Sequence, residues 1–116
     1  MDSQTTIANL ALEYWKLLRM FDRVLPNYPP DKQLKLKSQV KYAKSRLDGI
    51  LEEVNMRLMV YDGETYSPNL PVTVLNLSEY GEDNIPVIEQ TLSPTIVCDG
   101  KIILMGQVVL EEKGED

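Results

Sequence analysis

The sequence predicts an α+β fold: an N-terminal antiparallel helical hairpin followed by a small, mostly antiparallel β head domain. Three observations carry this expectation. Up to about residue 56 the apolar residues recur at spacings of three and four, the period of a helix face. Beyond that point the apolar runs shorten, and proline, glycine and β-branched residues rise, as in short strands joined by turns. The apolar helical stripes are also wider than two helices can enclose, so either the rest of the chain or a second copy covers them, the second copy being the economical solution.

In the first helix, Ile7, Leu10, Tyr14, Leu17, Phe21 and Val24 are spaced 3, 4, 3, 4 and 3 and share one seam. Ala11, Leu18 and Leu25 each follow a seam position and widen the stripe to a bundle-type face. Asp2 or Ser3 caps the start, and Pro26, Asn27, Tyr28, Pro29 and Pro30 end it. A second helix begins at Asp31, with the seam Leu36, Val40, Ala43, Leu47, Ile50 and Val54, broadened by Leu51. Gly49 costs roughly 1 kcal/mol of helix propensity against alanine, so either something packs closely there or the residue is merely tolerated. A short proline-rich loop between two helices makes a hairpin, and two hairpins pair into a four-helix bundle. Residues 1–56 are thus expected to dimerise through Leu10, Tyr14, Leu17, Phe21, Val40, Leu47 and Ile50.

Residues 57–111 form the expected head. Its apolar runs are 58–61, 72–77, 87–92, 95–98, 102–105 and 108–110, separated by Asp62-Gly63, Pro68-Asn69, the 81–84 stretch, Ser93-Pro94 and Asp99-Gly100. Asp99-Gly100 is the strongest of these signals, because both residues tolerate the positive φ of a type I′ hairpin turn. Residues 112–116 are an acidic tail, expected to fray.

Composition narrows the function. The 116 residues are 43% hydrophobic and 26% charged, with 12 basic against 18 acidic side chains and a net charge of −6. That balance argues against nucleic acid or an anionic membrane as partner. The chain has no histidine, and Cys98 is its one cysteine, which removes Ser-His and Cys-His nucleophilic catalysis and histidine-rich metal sites. No phosphate-cradling or dinucleotide glycine motif is present, so the expectation is a non-enzymatic protein without cofactor or metal. A lone thiol suits a reducing compartment, and Glu13, Lys16, Arg19 and Asp22 interrupt the first apolar run, so a cytoplasmic location without a secretory signal or membrane span is expected.

Two clusters admit sharper readings than the bland one. Lys32, Lys35, Lys37, Lys41, Lys44 and Arg46 invite a nucleic-acid reading, with Lys37, Lys41 and Lys44 on one helical face. A solvated flank of the second seam is favoured, given the acidic total. Glu52-Glu53 and Glu111-Glu112 read as surface charge, since adjacent residues on a helix point apart. Trp15, just off the seam, is either bundle packing or a partner anchor.

Several segments resemble the GrpE family of nucleotide exchange factors. In the first helix Leu17, Leu18, Phe21, Asp22, Arg23 and Leu25 resemble that family's leucine-rich stretch ending in an acidic-Arg pair; in the second, Lys44, Ser45, Leu47 and Asp48 resemble its Lys-x-x-Leu-Asp stretch. Tyr66, Ser67, Pro68, Asn69 and Leu70 are similar to its Asp-Pro-Asn segment. Asp99, Gly100 and Lys101 are similar to its Asn-Gly-Arg hairpin, and Val108, Val109 and Leu110 to its closing strand. The segments run in the family's order from about residue 12 to residue 110.

The resemblance implies a dimeric co-chaperone that binds the ATPase domain of a DnaK-type chaperone, or of a related actin-fold ATPase, and promotes ADP release. It carries three partner-binding positions onto this chain: Leu92, Lys101 and Leu110. It also implies departures. The family's long N-terminal helix has no counterpart here, so functions of that stalk are expected to be absent. Ser93, Pro94, Thr95 and Ile96 replace a Gln-Lys-Gly-Tyr stretch, and Leu104, Met105 and Gly106 replace an arginine-bearing one. Those losses remove good interface anchors and open the rival expectation of a dimeric adaptor or scaffold that has lost exchange activity.

Overall fold

The computed structural model describes residues 3–76 and 86–111. Asp2 as a cap, position 77 at the end of a predicted strand, the turn at 81–84 and the acidic tail at 112–116 lie outside the described residues. The chain is α+β; the described residues form two helices joined by a 3-10 turn, then six short strands, and the chain divides into two compact units, Met1–Arg57 and Leu58–Asp116.

In the first unit, α1 (Ser3–Val24) runs into a 3-10 turn (Leu25–Asn27), and α2 (Pro30–Glu52) follows. Tyr28 and Pro29 are extended, as expected of residues that each precede a proline. Pro30 opens α2 at the position where a missing N–H costs nothing. Gln33 Nε2 donates to the Tyr28 carbonyl at 2.6 Å and to the Pro26 carbonyl at 3.3 Å, tying the connection to the first turn of α2. Val54, predicted as the last seam residue of α2, lies beyond its end, and Asn55 takes a left-handed φ of 59° just after it.

The buried stripe is Ala8, Ala11 and Leu18 on α1, continued by Leu25 in the 3-10 turn, one residue along from most of the predicted seam. Leu10, Tyr14, Leu17, Phe21 and Val24 stay exposed. In α2, Val40, Leu47 and Leu51 are buried and Ile50 is exposed. Two polar contacts join the helices: Tyr14 Oη donates to the Ala43 carbonyl at 3.2 Å, and Lys44 Nζ meets Asp22 Oδ2 at 2.8 Å. A Cβ placed on Gly49 would touch nothing within 4 Å, so that glycine is tolerated rather than required. Gly49→Ala should therefore raise the stability of the helical unit by about 1 kcal/mol, read as a higher urea midpoint; a lower midpoint would show a close approach at this position.

The strands are β1 (Met56–Met59), β2 (Val72–Val74), β3 (Val87–Ser93), β4 (Thr95–Cys98), β5 (Lys101–Leu104) and β6 (Gly106–Glu111). They form two three-stranded sheets, ordered β1-β4-β5 and β2-β6-β3. β3 pairs antiparallel with β6 through Ile88↔Leu110 and Thr91↔Val108, and β4 pairs antiparallel with β5. β2 runs parallel to β6, with Val72↔Gly106 and Val74↔Val108, so the head is mixed rather than wholly antiparallel. Past the end of β2, the Asn76 side-chain amide donates to the Leu110 carbonyl and accepts from the Leu110 N–H, both at 2.9 Å, imitating one more strand residue.

Along β6, burial alternates with period two: Gly106, Val108 and Leu110 face inward, while Gln107 and Glu111 are exposed. Tyr61, Ile88, Val108 and Leu110 form the core of the head, flanked by Met59, Tyr66, Leu70, Val72 and Val74. A buried threonine fixes the entry to it: Thr91 Oγ1 accepts from the Tyr61 N–H at 2.9 Å, while the Thr91 N–H donates to Asp62 Oδ1 at 2.7 Å. Asp99 and Gly100 take φ values of 51° and 80° between the paired residues Cys98 and Lys101, both positive as a two-residue type I′ hairpin demands.

The chain passes from one sheet to the other at Ser93, Pro94 and Thr95, and back at Met105 and Gly106. The two crossings touch. Thr95 Oγ1 donates to the Pro71 carbonyl at 2.7 Å and accepts from the Gly106 N–H at 3.1 Å. A Cβ on Gly106 would stand 2.6 Å from Thr95 Oγ1, 2.8 Å from the Thr95 nitrogen and 3.0 Å from the Ser93 oxygen. Only a glycine fits there.

Candidate functional site

Partner-binding side chains must be exposed and held on rigid elements, and each unit offers one such surface. On the helical unit, Leu10, Tyr14, Leu17 and Phe21 lie at three- and four-residue spacing along one flank of α1. Leu10 is 71% exposed and Phe21 37%. Below them, Leu18, Phe21, Leu36, Gln39, Val40 and Ala43 line a shallow apolar groove of about 150 Å³ between the helices. Val40 and Leu47, predicted beside the exposed residues as interface, are instead buried within the chain itself. They support the flank rather than form it.

A second groove of the helix pair, of about 400 Å³, is lined by the apolar Leu25, Leu34 and Val40 and by the charged Asp22, Lys37, Lys41 and Lys44. Trp15, off the predicted seam, is half-buried, with the Arg19 guanidinium 4.9 Å from its ring centroid, a cation–π pair that occupies one face of the indole.

On the head, the three positions carried over by resemblance separate. Lys101 opens β5 and is exposed, directly after the Asp99-Gly100 turn. β5 is an edge strand of its sheet, and Ile102 and Met105 beside it are also exposed. Leu92 is half-buried on β3, in the other sheet. Leu110 is 1% exposed and faces the core of the head, so its side chain offers no surface to a partner. Its inward direction follows from the alternation with Val108.

Both stretches that depart from the GrpE pattern lie at the joint between the sheets. Ser93, Pro94, Thr95 and Ile96 are buried, and Gly106 is buried against them. The sequence signal for that joint was faint, a proline flanked by hydroxyl side chains and a glycine twelve residues after it. Ile102 and Met105 were missed as surface residues because they sit in an apolar run that reads as core.

Among the described residues no group of three or more Cys, Asp or Glu side chains is placed to share a metal ion. No helix among them is long and apolar enough to cross a membrane. What fold and surfaces define is a small α+β chain whose described residues include an exposed apolar helix flank and an edge strand that opens on an exposed lysine. No protein-family model, curated protein or solved structure matches this chain.

Proposed function

We propose that this chain is a GrpE-like co-chaperone that grips the ATPase domain of a DnaK-type chaperone and promotes ADP release. The observation that carries the reading is the placement of Lys101: exposed, directly after a two-residue turn, at the start of an edge strand of a small β head that follows two helices. In this reading the helices form an antiparallel hairpin, two copies pair as a four-helix bundle in the cytoplasm, and each head presents β5 to the ATPase. The exposed flank Leu10, Tyr14, Leu17 and Phe21, left over once the stripe Ala8, Ala11, Leu18 and Leu25 is buried, supports the pairing.

Exchange of this kind needs no catalytic side chain. The factor binds the opened, nucleotide-free ATPase better than the closed one, and by linkage nucleotide weakens the factor's grip equally. A thousandfold faster release requires about 4 kcal/mol of differential affinity for the opened state. A rigid hairpin edge recognises such a geometry. A lysine on it meets an acidic surface and sets orientation and association rate.

Lys101→Glu should slow the stimulated release of a fluorescent ADP analogue about tenfold, because a surface arranged for a cation then faces a like charge. Its thermal midpoint should match the parent's, since an exposed turn residue contributes little to stability. One observation favours a second reading, a dimeric adaptor without exchange activity: the stretch Ser93–Ile96 is buried in the chain's own joint and presents no anchors. Nucleotide-insensitive binding to an ATPase whose ADP release is unchanged would select the adaptor.

A further inference from the structure

We propose that the cationic groove of the helical unit, between Asp22 at the end of α1, Leu25 in the 3-10 turn, and Leu34, Lys37, Lys41 and Lys44 on α2, docks an acidic, leucine-bearing segment of a protein partner. This inference is independent of the exchange reading and concerns a different surface.

Charge is strongly segregated in this chain. Residues 30–46 hold six basic side chains and one acidic, a net +5, which leaves six basic against seventeen acidic, a net −11, elsewhere. Among the described residues Lys44 is neutralised by Asp22 at 2.8 Å, whereas Lys32, Lys35, Lys37 and Lys41 have no carboxylate within ion-pairing distance. Lys37 and Lys41 are the two of these that line the groove, since Lys32 and Lys35 line a separate hollow beside Asp31. Two uncompensated ammonium groups side by side, in a protein that is acidic overall, form a local field that an anionic segment relieves.

The groove also has an apolar wall. Leu34 is 74% exposed beside the lysines, and Leu25 and Val40 line the same groove. An isolated ammonium cluster would accept any anion, but one set around leucines fits a chain that carries carboxylates and an apolar anchor together. Phosphodiester backbones and lipid headgroups gain nothing from that wall, and the −6 total opposes their extended negative surfaces. A second copy is no better an occupant, because a two-fold contact here would set lysine against lysine.

The test uses the full chain and a fluorescein-labelled helical peptide of glutamates with leucines at three- and four-residue spacing, read by fluorescence anisotropy. Binding should weaken several-fold as salt shortens the screening length towards about 3 Å. Lys37→Glu combined with Lys41→Glu should weaken it at least about tenfold, with helical circular dichroism retained because both residues are exposed and outside the Asp22 ion pair. The neutral pair Lys37→Gln and Lys41→Gln should give an intermediate loss, and Leu34→Ser should weaken binding about fivefold. Absence of binding by the parent chain, equal binding by the charge-reversed variant, equal binding of a leucine-free peptide, or tighter binding of a DNA duplex or phosphatidylserine vesicles would each overturn the proposal.

Discussion

Gly106→Val should unfold the head while leaving the helices in place. At this position the two crossings between sheets touch, and a Cβ would approach the Thr95 backbone nitrogen to 2.8 Å and the Ser93 carbonyl oxygen to 3.0 Å. Neither atom belongs to a flexible side chain that can swing aside. Relief requires the strands to separate, which also breaks the hydrogen bond from the Gly106 N–H to Thr95 Oγ1 and disturbs the pairing of Gly106 with Val72. Overpacking in a close-packed interior costs about 1–3 kcal/mol, and a buried donor left unmatched adds about 1–3 kcal/mol more. A domain of this size has little more stability than that sum. In amide correlation spectra the resonances of β2, β3, β4 and β6 should collapse to the random-coil region while those of α1 and α2 remain. A variant with a dispersed head spectrum and an unchanged thermal midpoint would mean that the joint is looser than its geometry.

Leu47→Asp and Phe21→Asp should fail in different ways. Leu47 is 6% exposed, so a carboxylate there is taken out of water. Burying an unpaired charge, together with the lost leucine packing, costs about 4 kcal/mol or more. Short helices have no independent stability to set against that loss, so Leu47→Asp should abolish the helical signal. Phe21, 37% exposed on the flank of α1, can carry a carboxylate into water. Phe21→Asp should therefore keep its helices and lose only self-association, seen as a fall to monomer mass in sedimentation. If Phe21→Asp sediments as the parent does at micromolar concentration, the flank is not where two copies meet.

The contrast between these residues shows where sequence reading stops. Spacing of three and four located both helices, but α1 carries two adjacent apolar stripes. Neither stripe alone says which is buried in the chain and which is left outside. The small residues Ala8 and Ala11 were the clue, since they favour close approach and attract little weight on a hydropathy scale. In the head, the described strands from β2 to β6 were legible from β-branched runs, and the hairpin from Asp99-Gly100 alone. β1 came two residues earlier than predicted, which makes Tyr61 a core residue beyond the strand rather than its end. The parallel pairing of β2 with β6 was illegible, because register between distant strands leaves no local periodicity. Among the site positions, Lys101 could be read from its turn. Leu110 could have been assigned to the core from the alternation Val108, Val109, Leu110. The groove beside Leu34 depends on which lysines find carboxylates, and spacing along one helix does not give that.

The parallel pair has a kinetic consequence. Aligning Val72 with Gly106 closes a loop of more than thirty residues before the contact returns any free energy, whereas α1 and α2 meet across a single 3-10 turn. Local helical contacts form in microseconds to milliseconds, and non-local sheets in milliseconds to seconds. As the chain leaves the ribosome, the helical unit therefore completes first. The β4–β5 hairpin can close by itself, but β2 must wait until β6, more than thirty residues further along the chain, arrives to pair with both it and β3.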